Sequence, residues 1–237
     1  RRSCRRMCVT RSPIAVIAAF SVGMANGAFG TLAPVYGIER GFSTATIAYL
    51  MSLAIVSGAI AQVPLGRLSD RIDRRKVMFG VALVGALAGL LMILFNPDEN
   101  VFLYIFFALY GLAAYSLYAI AVAHANDFAD DGNFGKIASG MLLVLGSGQM
   151  LGPIAASFTM QFFGPVALFM VTVMFHAVLA GTAFLRMRVR SLFPAADRAP
   201  FQPLPDERTV TTETIALDPR SDGEDFNIPD STNPDET

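Results

Sequence analysis

Six stretches of this chain, residues 13–36, 44–66, 77–95, 101–123, 137–159 and 165–185, run without a single Asp, Glu, Lys or Arg. Each is long enough to cross a hydrocarbon core of about 30 Å as a helix, which takes roughly 20 residues. One charge at mid-membrane costs about 2.5 to 3.5 kcal/mol on insertion scales, so six charge-free windows set the fold class. The rival arrangement, six buried core helices of a water-soluble protein, needs polar outer faces that these segments lack. The expected fold is therefore an all-α polytopic membrane protein with six transmembrane helices. Composition agrees and argues against a soluble enzyme: 54% of the residues are hydrophobic and 16% charged, against roughly 25% charged in soluble domains.

The basic residues orient the spans. Arg1, Arg2, Arg5, Arg6 and Arg11 precede the first, Arg67, Arg71, Arg74, Arg75 and Lys76 lie between the second and third, Lys136 precedes the fifth, and Arg186, Arg188 and Arg190 follow the sixth; Arg40 alone faces the other side. This bias makes the first side cytoplasmic and puts both termini there. Tyr36, Tyr49 and Tyr104 fall near the outer span ends, as interfacial aromatics do. A bacterial inner membrane is the default location.

The net charge of -1 hides three parts: a basic cytoplasmic leader (1–12), the six-helix domain (13–190) and an acidic cytoplasmic tail (191–237). The tail is rich in Pro, Asp, Glu, Ser and Thr without helical or strand period, which predicts disorder. Cys4 and Cys8, the only cysteines, sit in the leader, where thiols stay reduced. The leader and the apolar stretch after it could pass for a signal peptide, but the stretch runs unbroken to Tyr36 without a clear cleavage site, so a retained first helix is expected.

Asn96-Pro97-Asp98 is a turn that stops the third helix. Ser43 or Thr44 is expected to cap the second helix, Asp73 the third and Asn133 the fifth. Short loops predict that consecutive helices pack as antiparallel neighbours. Gly23 and Gly27, Gly85 and Gly89, and Gly148 and Gly152 recur at the four-residue spacing that lets membrane helices approach closely. Pro34, Pro64 and Pro153 each remove a backbone donor and predict kinks.

In the stretch Gly66-Arg67-Leu68-Ser69-Asp70-Arg71-Ile72-Asp73-Arg74-Arg75-Lys76, Asp70 places a carboxylate among five cations in the inner loop. Asp70 can pair with Arg71 or Arg74, or accept from free N–H groups at a helix N-terminus. Such a cluster can latch one conformation; the plainer reading is topogenic charge attracted to anionic lipid. The stretch resembles the G-x-L-x-D-R-x-G-R-R/K signature of the major facilitator superfamily. Gly66, Leu68, Asp70, Arg71, Arg74 and Arg75 match, while Asp73 replaces the second glycine. Gly146-Ser147-Gly148-Gln149-Met150-Leu151-Gly152-Pro153 is similar to the glycine-proline motif of the fifth helix in some exporters of that superfamily, with Gly148, Gly152 and Pro153 as the packing and bending residues.

The resemblance implies one six-helix half of a twelve-helix transporter, the C-terminal half from the polar tail and basic leader. Function is then transport of a small solute by alternating access. The partners are the lipid bilayer, the solute and a second six-helix bundle, either an N-terminal half or a second copy. In that family the first and fourth helices line the cavity, which makes Asn26, Tyr115 and Tyr118 candidate solute contacts, with Gln62 and Gln149 on the second and fifth. Tyr104 shares the helix face of Tyr115 and Tyr118. His176, mid-span in the sixth helix, is expected to bond between helices, and His124, at an inner helix end, to be solvated. No cofactor or metal is implied, and no nucleic-acid partner.

Two other functions are alternatives to transport. One is a non-transporting scaffold or decayed half-transporter. The other is an intramembrane serine protease using Ser147 and His176, but the required first glycine of its G-x-S-G is Leu145, and the preceding helix lacks the partners usual with it.

Overall fold

The computed structural model describes residues 13–127 and 134–189. The leader, the tail, the expected cap Asn133 and both cysteines lie outside the described residues. All six charge-free stretches are helices: α1 (Pro13–Glu39), α2 (Thr44–Arg71), α3 (Arg74–Phe95), α4 (Val101–Asn126), α5 (Phe134–Phe163) and α6 (Leu168–Val189), the last entered through a 3-10 turn at Pro165–Ala167. Each is long and apolar enough to cross a membrane.

The helices run past the charge-free windows because a hydrogen-bond ladder ends at a cap, not at the first charge. Arg67, Asp70 and Arg71 therefore ride the last turns of α2, and the expected inner loop shrinks to Ile72 and Asp73. The Ser43 hydroxyl accepts from the Thr46 N–H at 3.1 Å and caps α2. The Asp73 carboxylate accepts from the Arg75 N–H at 3.0 Å and caps α3. α3 stops at Asn96, whose φ of 37° is left-handed, and buried Pro97 follows it.

Helix pairing bears out the expectation drawn from loop length for α3 and α4, which pack together, and corrects it elsewhere. The principal pairs are α1 with α5, α2 with α4 and α3 with α6, while α1 and α2, α2 and α3, and α4 and α5 touch little. A short loop fixes only which helix comes next; close backbone approach decides which helices pack. A Cβ on Gly148 of α5 would stand 2.6 Å from the Phe20 carbonyl oxygen and 2.8 Å from the Met24 nitrogen of α1, and one on Gly27 2.5 Å from the Gln149 carbonyl oxygen. Gly58 of α2 meets the Gly111 carbonyl oxygen and Tyr115 of α4, and Gly85 and Gly89 of α3 meet His176, Val173 and Thr172 of α6. The contacts advance together along α1 and α5 and along α2 and α4, so those pairs run parallel; along α3 and α6 they run in opposite directions. α1 and α4 are the most buried helices, α2 and α5 the least.

Candidate functional site

At the α2–α3 end of the bundle, three acidic and two basic side chains form one cluster. Arg74, on the first turn of α3, is 1% exposed and lies between two carboxylates. Its Nη2 is 3.1 Å from Asp70 Oδ1 on the last turn of α2, and its Nε is 2.9 Å from Asp127 Oδ2 at the end of α4. One guanidinium thus joins three helices. Asp127 side-chain exposure is 2% and that of Asp70 33%, so Asp127 is sealed in while Asp70 faces the surface.

Arg75 does different work. Its Nε and Nη2 bond the Asp73 carboxylate at 2.9 to 3.1 Å, and its Nη1 donates to the Arg186 carbonyl oxygen at 3.0 Å. That clamps the start of α3 to the last turns of α6, where free carbonyls need donors. Asp73, standing where the superfamily signature has glycine, is both cap and counter-charge. Burial raises its pKa, but the hydrogen bonds from the Arg75 side chain and backbone, with the charges of Arg75 and His124, outweigh it and hold the carboxyl below its usual range. A depressed folded pKa adds stability at neutral pH that disappears as pH falls from the unfolded value through the folded one. The stability gap between the native chain and Asp73→Asn should therefore close below about pH 4, read as melting temperature against pH in detergent; a constant gap contradicts this.

Gly66 is buried, and Leu68 and Arg71 are exposed. His124 corrects the expectation of solvation: it is 6% exposed and contributes to the field at Asp73, because α4 runs on past it to Asn126 and its last turn packs inside the bundle. Asp127 was not singled out from sequence. Its signal is an acidic residue on the same side as a basic cluster with too few counter-charges.

Within the spans, Asn26 Nδ2 donates to the Ala114 carbonyl oxygen of α4 at 3.2 Å, while its Oδ1 is buried without a hydrogen bond among the described residues. Tyr110, also not singled out, donates to the Ala25 carbonyl oxygen at 3.2 Å. Tyr115 is half-buried against Gly58, Tyr118 is buried, and Gln62 Nε2 donates to the Tyr115 carbonyl oxygen at 3.3 Å. Gln149 is half-buried where α5 meets Gly27. Tyr104 lies on the first turn of α4 beside Glu99.

Ser147 and His176 are not brought together. The Ser147 hydroxyl, on the exposed face of α5, donates to the Val144 carbonyl oxygen. His176 is buried against Gly85 and Tyr110, and in place of the expected bond between helices its Nδ1 lies 2.7 Å from the Thr172 carbonyl oxygen of its own helix. Among the described residues no three His, Cys, Asp or Glu side chains group as metal ligands.

Comparison with known proteins follows the same lines. The sequence profile of the Major Facilitator Superfamily matches residues 15–218. An uncharacterized MFS-type transporter of Bacillus subtilis is 30% identical over 158 residues, covering 66% of this chain and 39% of that protein. One of Yersinia pestis is 28% identical over 179 residues, covering 76% and 44%. The chain therefore spans about two fifths of the length of these relatives. Among solved structures, an auto-inhibited POT family peptide transporter superposes with a TM-score of 0.66 at 11% identity, covering 78% of this chain and 39% of that one. At that identity the likeness is one of fold.

Proposed function

The chain belongs to the major facilitator superfamily, and from that premise we propose that its six helices are one bundle of a transporter that carries a small solute across a membrane by alternating access. The observation that carries this reading is the bridge from Asp70 through Arg74 to Asp127. Arg74 and Asp127 form a buried pair, and Asp70, the more exposed of the two carboxylates, is the member that changes partners in this cycle when a second bundle approaches or withdraws. The ends of α2, α3 and α4 then move as a unit and Asp70 latches one state.

A second six-helix bundle is part of the proposal, whether an N-terminal half or a second copy, with this chain as the C-terminal half and both termini cytoplasmic. The outward faces support it. α3 and α6 present Leu83, Leu87, Leu90 and Leu94, and Met170, Met174 and Val178, side chains suited to lipid. α2 and α5 also present Ala45, Ala48, Ser52 and Ala59, and Ser139, Ser147 and Ser157, the small residues of helix-packing surfaces. Tyr115, Gln62, Gln149 and the uncommitted Asn26 Oδ1 are the candidate solute contacts, and Tyr118 serves packing.

Asp70→Asn tests the latch. The pair it breaks is partly exposed and contributes about 1 kcal/mol or less to stability, so the variant should accumulate and melt like the native chain. Solute flux, screened with a panel of labelled compounds in cells, should fall about tenfold through lost coupling between states. Unchanged flux in a well-folded variant counts against the latch.

A further inference from the structure

We propose that the groove between α3 and α6, at the end where Arg75 clamps them, holds the phosphate headgroup of an anionic phospholipid between Lys76 and Arg188. The helices run antiparallel there, with Phe79 of α3 and Phe184 of α6 in contact at 5.8 Å between ring centroids. Lys76 stands one turn before Phe79, nearer the end of α3, and Arg188 one turn after Phe184, nearer the end of α6. Because residues three and four apart share a helix face, the ring pair brings both cations to the same rim. The Arg188 guanidinium lies 4.5 Å over the Phe184 ring. Both cations are exposed, and among the described residues neither is in an ion pair. Arg74 and Arg75, by contrast, are buried and paired with carboxylates.

Below the rim the surface is open. Gly80 follows Lys76 by one turn and Gly181 precedes Phe184 by one turn, and a Cβ on either would meet nothing within 4 Å. The exposed faces continue as Leu83, Leu87, Leu90 and Leu94 on α3 and as Val178, Met174 and Met170 on α6. Cations above aromatic rings above aliphatic columns follow the depth profile of one phospholipid, from phosphate through the interface to acyl chains. A free phosphate ion would use only the rim. An acidic protein segment would leave the apolar columns uncovered.

The full chain, purified in detergent, is titrated with phosphatidylglycerol and with phosphatidylcholine, and bound lipid is read by native mass spectrometry. Phosphatidylglycerol should be preferred, and Lys76→Gln with Arg188→Gln should weaken it about 30-fold, from about 1 kcal/mol per basic residue. Arg5→Gln with Arg6→Gln removes the same charge elsewhere and should keep the preference. Gly181→Leu, which fills the groove and leaves both cations in place, should also lower retention, so the test survives a misfolded charge variant. Equal loss in the leader variant, equal binding of the two lipids, or retention unchanged by both groove variants overturns the proposal. Displacement of the lipid by inorganic phosphate, or by a peptide of residues 191–237, overturns it in favour of that occupant.

Discussion

Arg74→Ala should destabilise the bundle by about 3–5 kcal/mol, the cost of leaving buried charge without its partner. The guanidinium is 1% exposed and bridges Asp70 and Asp127; without it, Asp127, at 2% exposure, loses the cation that pairs with it. Asp127→Asn should cost less, because Arg74 keeps Asp70. Arg74→Met combined with Asn at both 70 and 127 should recover most of the loss, since removing all members of a buried ion network is far milder than removing one. Unfolding in detergent against denaturant measures all three, and a loss under about 1 kcal/mol for Arg74→Ala would show that the bridge is not sealed from water.

Two glycines of α5, two residues apart, should respond in opposite ways. At Gly148 a Cβ would lie 2.6 Å from the Phe20 carbonyl oxygen and 2.8 Å from the Met24 nitrogen. Both are backbone atoms, which cannot rotate aside, so Gly148→Ala pries α1 from α5 along the most extensive helix pair in the bundle. The expected cost is about 3 kcal/mol, the upper part of the usual range for overpacking. At Gly146 a Cβ would meet nothing within 4 Å, and Gly146→Ala should be neutral or stabilise by up to about 1 kcal/mol through helix propensity. Melting temperatures of the two variants in the same detergent decide it, and equal effects would mean that α1 and α5 do not touch at Gly148.

The contrast between these glycines shows where sequence reading stops. The spans were legible because the cost of charge in hydrocarbon is a hard constraint on composition alone. The seams were legible too, since Gly148 and Gly152 announce a close approach by their spacing. Spacing on one helix does not say which other helix fills the gap, so loop length put α5 beside α4 when its glycines face Phe20 and Met24 of α1. The signature loop was half legible. Asp70 and Arg74 stood out as a possible pair, whereas Asp127 lies far along the chain and becomes a partner only because α4 packs against α3. His124 shows the same limit: a helix end implies solvent until another element covers it. Asp73, an apparent departure from the superfamily pattern, is the cap that α3 needs and the clamp for Arg75.

The central claim is that this bundle works against a second one. The most direct test is the polypeptide mass of the particle extracted from native membranes with mild detergent, measured by light scattering with the detergent contribution removed. Two apposed bundles predict about twice the 25.4 kDa of this chain, as one longer polypeptide or as two copies, because the midplane site of such a transporter lies between two repeats. A particle holding a single 25.4 kDa polypeptide would contradict it.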